Sequence, residues 1–389
     1  MPLQVRAITD DAGLAALEPE WAALDAALPI RMPFSSPAWS ALWWRHFRRD
    51  MPKVRDILRV FAVRDAAGAL VGVAPMMLTC RPGRGPLCMR ELQFLGADQN
   101  VTELRGVVCQ EQDEPAVLGA LYRHLARVQR DWDWVQWRGL RVPDPAAVLP
   151  GFSLGRQLVD LHIPLPGTWD ALRARLPRNI KESIRKCRNS LARDGIAWTL
   201  DVITEPAALA AALDRLLALH RARSAIEGTV PHPDVFAAPA AQAFIAAYTA
   251  QAAARDGACM FALRVGDEHV ALRLGFLMGR DLYLYYSGYD PAWGRYSVMT
   301  TVVAGAIEWA IGQGLGRVNL STGIDVSKTR WRPERVTYAE GYQPAASVRG
   351  RVAFRMDGLV RGWSGHELFP RARPALPGHK DEDALATAE

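Results

Sequence analysis

The sequence predicts an α/β fold of two similar halves, each a mixed, mostly antiparallel sheet flanked by helices. Three observations carry this. Apolar residues alternate along some segments and recur at helical spacing along others. A hairpin pattern occurs twice, because FAVRDAAGALVGVAPMML (61–78) aligns without a gap on FALRVGDEHVALRLGFLM (261–278), with three identities and largely coincident apolar and turn positions. A helix and then a strand follow each hairpin in the same order, and internal repetition of this kind marks duplicated units.

In the first half an amphipathic helix is expected over Ala12–Leu28. A second follows in FSSPAWSALWWRHF, where Ser35 or Ser36 is the cap and Pro37 takes the first turn. Strands are expected over Ile57–Val63 and Ala69–Leu78, about the turn Asp65-Ala66-Ala67-Gly68. Two shorter strands, a helix over Pro115–Arg130 and a strand over Trp134–Arg138 come next. The Pro- and Gly-rich stretch Val142–Gly151 divides 1–150 from 151–365. Beyond it, helices are expected over Asn179–Arg193, Ala207–Ser224 and Ala240–Arg255, and strands over Met260–Val265, His269–Leu277 and Leu282–Ser287. The helix Val298–Ile311 and the strand Arg317–Ser321 complete the pattern, and 366–389, rich in Pro and charge, reads as a flexible tail.

Composition narrows the classes. Half of the 389 residues are apolar and 23% are charged, the balance of a globular protein with room for two domains. Cys80, Cys88, Cys109, Cys187 and Cys259 are scattered without a C-x-x-C pair, which argues against a disulfide framework or a zinc site and for a reducing compartment. The N-terminus carries acidic residues where a signal peptide has its apolar core. The best apolar run, Ala69–Cys80, falls far short of the roughly 20 residues that span a bilayer. A cytoplasmic protein without a metal is expected. No G-x-x-x-x-G-K-[ST] loop, H-E-x-x-H or G-x-S-x-G elbow occurs. The net charge of +6 admits an anionic ligand such as a nucleotide, an RNA or an acidic lipid surface. The thirteen tryptophans read as core.

Four segments carry possible chemistry. In YYSGYDPAWGRYSVMTTVVAGAIEWAI (285–311) a strand breaks into a tight loop and then a helix, with Ser297 as the natural N-cap. The free N–H groups and positive dipole end of such a helix suit a phosphate, and Arg295 adds a guanidinium fork. The alternative is a plain cap in a surface loop. In 176–195 the stripe Ile180, Ile184, Cys187 and Leu191 is backed by Arg178, Lys181, Arg185 and Arg188. This is a helix whose cationic face meets a phosphate or RNA, or is simply solvated. Leu213, Leu216, Leu217 and His220 share a helix face near Arg221, Arg223 and Glu227, so His220 is either a base or a satisfied core histidine. Finally, a buried strand runs out into Ser321, Thr322, Gly323, Asp325, Lys328 and Arg330. Strand ends of this kind bind ligands. There Asp325 accepts a proton or holds an amine, and Lys328 neutralises a phosphate or an oxyanion, unless the two form an ordinary ion pair.

The ordered set RNIKESIRK (178–186), LHRARS (219–224), YYSGYDPAWGRYS (285–297), AIEWAI (306–311) and DVSKTRW (325–331) resembles the GNAT-fold acyltransferases associated with bacterial cellulose biosynthesis, relatives of the Fem-type peptidyltransferases. The resemblance implies tandem GNAT-like domains, with a degenerate half over 1–150 and an acyl-donor-binding half over 151–365. It implies transfer of an acyl group from acyl-CoA (acetyl-CoA or longer) to the amine of a small molecule or of a polysaccharide or secondary-metabolite precursor, by direct attack in a ternary complex. Arg295, Tyr296, Ser297 and Val298 then hold the donor pyrophosphate, with Lys328 as a further donor contact. Val298 and Met299 stand where related loops keep a Gly, and Ser327 where many relatives have a Tyr. Asp290, His220 and Asp325 are the candidate bases, and the hydroxyl of Tyr289 or Tyr296 is the candidate acid for the leaving thiolate. The Fem-type relatives imply an alternative donor, an aminoacyl-tRNA tracked by the basic helix. A non-catalytic binding or assembly protein is the third reading.

Overall fold

In the computed structural model, which describes residues 3–85, 87–225 and 233–363, the first half opens with strand β1 (Gln4–Ile8) and helix α1 (Asp11–Ala26). Helix α2 (Pro37–Phe47) starts where the cap chemistry places it, with the Ser36 hydroxyl accepting from the Trp39 N–H at 3.2 Å. Strands β2 (Asp50–Met51), β3 (Val54–Arg64), β4 (Leu70–Arg81), β5 (Met89–Phe94) and β6 (Val108–Cys109) pair antiparallel. Helix α3 (Glu114–Arg127) returns the chain to β7 (Trp134–Leu140), which lies parallel to β5.

The second half repeats this plan. After α4 (Pro145–Val148), β8 (Ser153–Pro164), α5 (Trp169–Arg175) and α6 (Arg178–Arg193), strand β9 (Trp198–Ile203) begins a second half-sheet. Helices α7 (Pro206–Ser224) and α8 (Pro239–Ala253) lead to β10 (Ala258–Val265), β11 (Glu268–Met278) and β12 (Asp281–Tyr289). Helix α9 (Val298–Gly312) then joins β12 to its parallel neighbour β13 (Arg317–Thr322). The described chain closes with α10 (Val326–Thr329), β14 (Glu334–Pro344) and α11 (Val348–Trp363). The expected tail over 366–389 lies outside the described residues.

The two half-sheets are one sheet. Its main path runs β1-β3-β4-β5-β7-β14-β8-β13-β12-β11-β10-β9. Strand β14 thus leaves its sequence neighbour β13 to lie against β7 of the first half, and β8 fills the place between β14 and β13. The proposed division at 150/151 falls in the connection from β7 to β8, and hydrogen bonding crosses it through β14. Periodicity does not announce β8 or β14, because both carry polar groups at buried positions. Glu340 of β14 accepts from Arg138 Nη1 of β7 at 2.9 Å and from Arg156 Nε of β8 at 2.6 Å. Gln136 Nε2 donates to Tyr342 Oη at 2.7 Å, and Trp137 Nε1 to Gln343 Oε1 at 2.8 Å. On the other side of β8, Asp160 accepts from Asn319 Nδ2 at 2.8 Å and lies 2.9 Å from His162 Nε2. Buried charges of this kind are sound only as complete sets, since removing one partner costs about 3–5 kcal/mol.

One apolar layer, under α1, α2, α7 and α8, runs across both halves. Trp39 of α2 meets Phe244 and Tyr248 of α8 edge-on, at 4.8 and 4.7 Å between centroids, contacts worth about 0.5–1.5 kcal/mol each beyond their burial. The opposite face is covered by α3 in the first half and by α5, α6 and α9 in the second. All five cysteines are free and buried. Among the described residues no helix is long and apolar enough to cross a membrane.

The β14–β8 seam is close-packed at Gly341, where a Cβ would collide with the Ser153 carbonyl oxygen and come within 2.5 Å of the Phe152 ring. Gly341→Ala is therefore expected to cost about 1–3 kcal/mol. Urea unfolding followed by tryptophan fluorescence and by circular dichroism should show one earlier transition common to both probes. An unchanged midpoint would mean that the seam yields easily.

Candidate active site

Strands β12 and β13 are paired only over Asp281–Tyr283 and Arg317–Asn319. Beyond that point the ladder stops, and the rest of β12 has no pairing with β13, which leaves an opening between the two strands. On its other edge β12 carries a bulge, with Tyr285 and Tyr286 together opposite Leu274 of β11. The extra residue brings Tyr286 onto the face already occupied by Tyr283 and Tyr285. All three hydroxyls hold the loop between β5 and β6 of the first half. Tyr283 donates to Glu103 Oε2, Tyr285 to the Val101 carbonyl, and Tyr286 to the Asn100 carbonyl at 2.8 Å.

Glu103 is the centre of this arrangement. Its second oxygen accepts from Ser321 Oγ of β13 at 2.8 Å. Burial raises the Glu103 carboxyl above the usual carboxylate range, against the pull of Lys328 and of the two hydroxyl donors. Lys328 Nζ donates to the Thr322 carbonyl at 2.6 Å and stands 3.6 Å from Asp325 Oδ2. Burial lowers its ammonium, with Glu103 and Asp325 opposing. Arg273 Nη2 donates to the Leu284 carbonyl at 2.9 Å, on the residue just past the end of the β12–β13 ladder, and burial lowers this guanidinium too. A carboxyl pushed up beside a lysine pushed down is suited to moving a proton and steadying developing negative charge.

Several residues singled out in the sequence gather around this opening. Tyr289 lies under the Arg223 guanidinium, 5.2 Å from the ring centroid. Arg223 is lowered by burial, with Tyr289 and Asp325 as its opposing partners. Asp325 is exposed and accepts from Ser327 Oγ. Asp290 has one oxygen committed to the Ala292 N–H at 3.0 Å, capping the 3₁₀ turn Pro291–Tyr296. His220 stands apart on the α7 side. Its Nδ1 donates to the Ser287 carbonyl at 3.2 Å, while Nε2 has no hydrogen-bond partner among the described residues and lies 4.0 Å from Asp234 Oδ1. The rings of Phe236 and Tyr286 meet it edge-on. α7 comes this close because residue 288 is Gly; a Cβ added there would lie 2.7 Å from the His220 backbone nitrogen. Glu227 is outside the described residues.

The start of α9 differs in one respect from the expected cap. Ser297 occupies the N-cap position but is left-handed (φ 53°, ψ 40°), and its side chain makes no capping bond. With that backbone the serine is exposed, and its N–H donates to the Gly294 carbonyl at 3.0 Å. A right-handed turn followed by a left-handed residue makes successive N–H groups converge, the geometry of an anion nest. The Val298 side chain is buried in the core, so it does not block the helix mouth where a Gly stands in related loops. Tyr296 is also buried, its hydroxyl donating to Asp194 Oδ2 at 2.8 Å and accepting from Arg295 Nη2 at 2.7 Å. Arg330 Nη2 donates to Thr300 Oγ1 in the first turn of α9 at 3.1 Å, a second guanidinium that periodicity gave no reason to place there. Lys328 belongs with Glu103 rather than with this helix start. The expected stripe of α6 packs here, with Ile180, Cys187 and Leu191 buried and Cys187 Sγ donating to the Tyr296 carbonyl at 2.5 Å. Its cationic face is partly paired, through Arg178–Glu182, Arg188–Glu308 and Arg193–Asp194.

Glu103, Tyr283, Tyr285, Tyr286 and Arg273 escape sequence reasoning. Glu103 lies 180 residues from Tyr283 and 218 from Ser321, in a loop of the other half, and no spacing or periodicity signals that contact.

Residues 178–329 match a family model described as an acetyltransferase (GNAT) domain. No curated protein matches the chain. Among solved structures, a crystal structure of FemX is similar over 86% of this chain and 96% of its own, at 11% identity and a TM-score of 0.57. The C-terminal domain (DUF2156) of a putative lysylphosphatidylglycerol synthetase from Agrobacterium fabrum shares 11% identity over 90% of this chain and 97% of its own, with a TM-score of 0.49. A tandem GNAT protein from the clavulanic acid biosynthesis pathway shares 12% identity over 89% of this chain and 99% of its own, with a TM-score of 0.42. Likeness at these identities is one of fold. The fold is mixed α/β, one large, mostly antiparallel sheet flanked by helices, and it is shared with FemX.

The shift at Glu103 has a thermodynamic signature. Its folded value lies above the ordinary 4.5, so between the two values the folded state keeps a proton that the unfolded chain has lost. Its contribution to stability is present below about 4.5 and is lost as pH rises through the raised value. Relative to wild type, Glu103→Gln should therefore gain stability as pH climbs from 4.5. A difference between the two proteins that stays flat from acid to neutral pH would show that the carboxyl is not destabilised by its site.

Proposed function

We propose that this chain is an N-acyltransferase, moving an acyl group from an acyl-CoA thioester to the amine of a small molecule or of a polysaccharide or secondary-metabolite precursor. The match of 178–329 to an acetyltransferase (GNAT) domain supports the reaction class. The observation that carries the mechanism is a half-buried carboxyl, Glu103, placed beside Lys328 where the β12–β13 pairing ends. In this reading the donor pyrophosphate rests on the free N–H groups at the start of α9, with Arg295, Ser297 and Arg330 around it. The thioester lies along the unpaired edge of β12. The acceptor nitrogen attacks the thioester carbon, and Glu103 takes the proton it sheds. Lys328 steadies the oxyanion, and the C–S bond then breaks as the thiolate leaves, with the Tyr289 hydroxyl as its proton source.

Glu103 stands ahead of the other candidate bases on its raised carboxyl and its place beside Lys328, although both of its oxygens accept hydrogen bonds. Asp290 is committed to a turn, His220 is held on the α7 side, and Asp325 is exposed beside Lys328. Residues 151–365 then form the donor-binding domain, and 1–150, degenerate as a donor site, supplies the base. An aminoacyl-tRNA donor is the alternative, favoured by the exposed cations of α6 next to the α9 start.

Calorimetric titration with acetyl-CoA and a longer acyl-CoA is expected to show saturable binding that Arg295→Ala weakens about tenfold or more, as for loss of a charged hydrogen bond. Glu103→Gln should leave donor binding intact and lower turnover by roughly 10²–10⁴-fold. Binding of neither thioester, with charged tRNA bound instead, would transfer the reading to the tRNA-dependent class. Thioester turnover of any kind would eliminate a purely structural role.

A further inference from the structure

A cavity of about 340 Å³ lies in the first half, beside the connection from α1 to α2 and the start of β14. Its volume is at the lower end of the roughly 300–1,000 Å³ typical of small-molecule sites. Met32, Phe34 and Leu104 form an apolar wall, and Arg105, Arg141 and Arg335 a basic one. Glu111 is the one acidic residue of its lining.

The arginines are not equivalent. Arg141 is matched by Glu114 at 3.1 Å. Arg335 is exposed to solvent. Arg105 has no hydrogen bond or ion pair among the described residues, although its stem packs on Gly96 and its backbone on Gly139. The charges around it do not balance. Arg138 and Arg156 repel it, and Glu340, which attracts it, already serves both of those arginines. Asp98, the other attracting carboxyl, is occupied by Trp43 Nε1 at 2.8 Å and by Thr102. Burial, with Arg138 adding to it, pulls the Arg105 guanidinium down to about 9. A guanidinium holds its proton even so. The group is therefore a half-buried cation lacking its counter-charge, and the cavity in front of it is where one fits.

We propose that this cavity binds a small organic anion, with a carboxylate or phosphate-monoester group on Arg105 and a compact apolar body against Met32, Phe34 and Leu104. The site is separate from the α9 start and does not depend on acyl transfer. Arg105 is two residues from Glu103 on the same loop, so an occupant would also bear on the segment that supplies Glu103.

The test is calorimetric titration with hexanoate, phenyl phosphate and inorganic phosphate, alongside thermal unfolding, on wild type, Arg105→Met, Arg105→Lys and Arg295→Ala. Hexanoate or phenyl phosphate should bind saturably, and which of them does so separates the carboxylate source from the phosphate source. Inorganic phosphate, without an apolar body, should bind at least about tenfold more weakly. Arg105→Met should lose about tenfold or more in affinity for the organic anion. Without ligand it should melt no lower than wild type, because a half-buried cation without an ion-pair partner has been replaced by an apolar chain of similar length. Arg105→Lys should keep part of the affinity, and Arg295→Ala all of it, whatever that variant does to thioester binding. Saturation by neither organic anion, undiminished binding by Arg105→Met, or inorganic phosphate binding as well as phenyl phosphate would each overturn the proposal. So would a lower melting point for unliganded Arg105→Met, since Arg105 would then already be satisfied.

Discussion

The structure turns on a carboxylate that serves two arginines. Glu340 of β14 sits between Arg138 of β7 and Arg156 of β8, and with it the last strand of the sheet is held between the two halves. Without that strand the first half-sheet would end at β7 and the second at β8, each with an open edge of unpaired backbone groups. With it, the loop from β5 to β6 is carried to a fixed place above β12. The site between β12 and β13 depends on the seam, because both strands belong to the second half and the loop that carries Glu103 to them belongs to the first.

The loop has a second role besides delivering Glu103. The loop lies over the tyrosines of β12 and accepts from their hydroxyls, and the charged groups around it respond to burial in opposite directions. The Glu103 carboxyl is driven up, and Lys328, Arg273 and Arg223 are driven down. Opposed shifts within one cluster are what acid–base chemistry near neutrality requires. At the start of α9, by contrast, Ser297 and Arg295 remain exposed, as suits a ligand whose charge is shared with solvent.

Much of the fold was legible because its elements have regular apolar patterns. The hairpins β3–β4 and β10–β11, helix α9, the α6 stripe and the Ser36 cap of α2 fall where periodicity and cap chemistry place them. β8 and β14 were not legible, since Asp160, His162, Glu340 and Gln343 are buried there in place of apolar residues. The site divides in the same way. Arg295, Tyr296, Ser297 and Val298 lie on one local segment, and their position at a helix start can be read from that segment alone. Glu103 cannot be read in this way, because its meaning depends on a contact made across the whole chain. Ser297 shows a finer limit: residue type suggested a side-chain cap, and the left-handed backbone removed it.

The placement of β14 also bears on how the protein is made. Translation completes β7 roughly two hundred residues before β14, an interval of some 10–40 s at ordinary rates of synthesis. Throughout that time the first half has its hairpins and α3 but an unfilled sheet edge, and Arg138 lacks Glu340. A nascent chain in that condition exposes a template for wrong strand pairing. The arginines waiting on β7 and β8 work against such pairing, because a neighbouring strand without a matching acid would bury their charge unanswered. The same ion cluster that closes the finished sheet thus screens its partners while the sheet is still open.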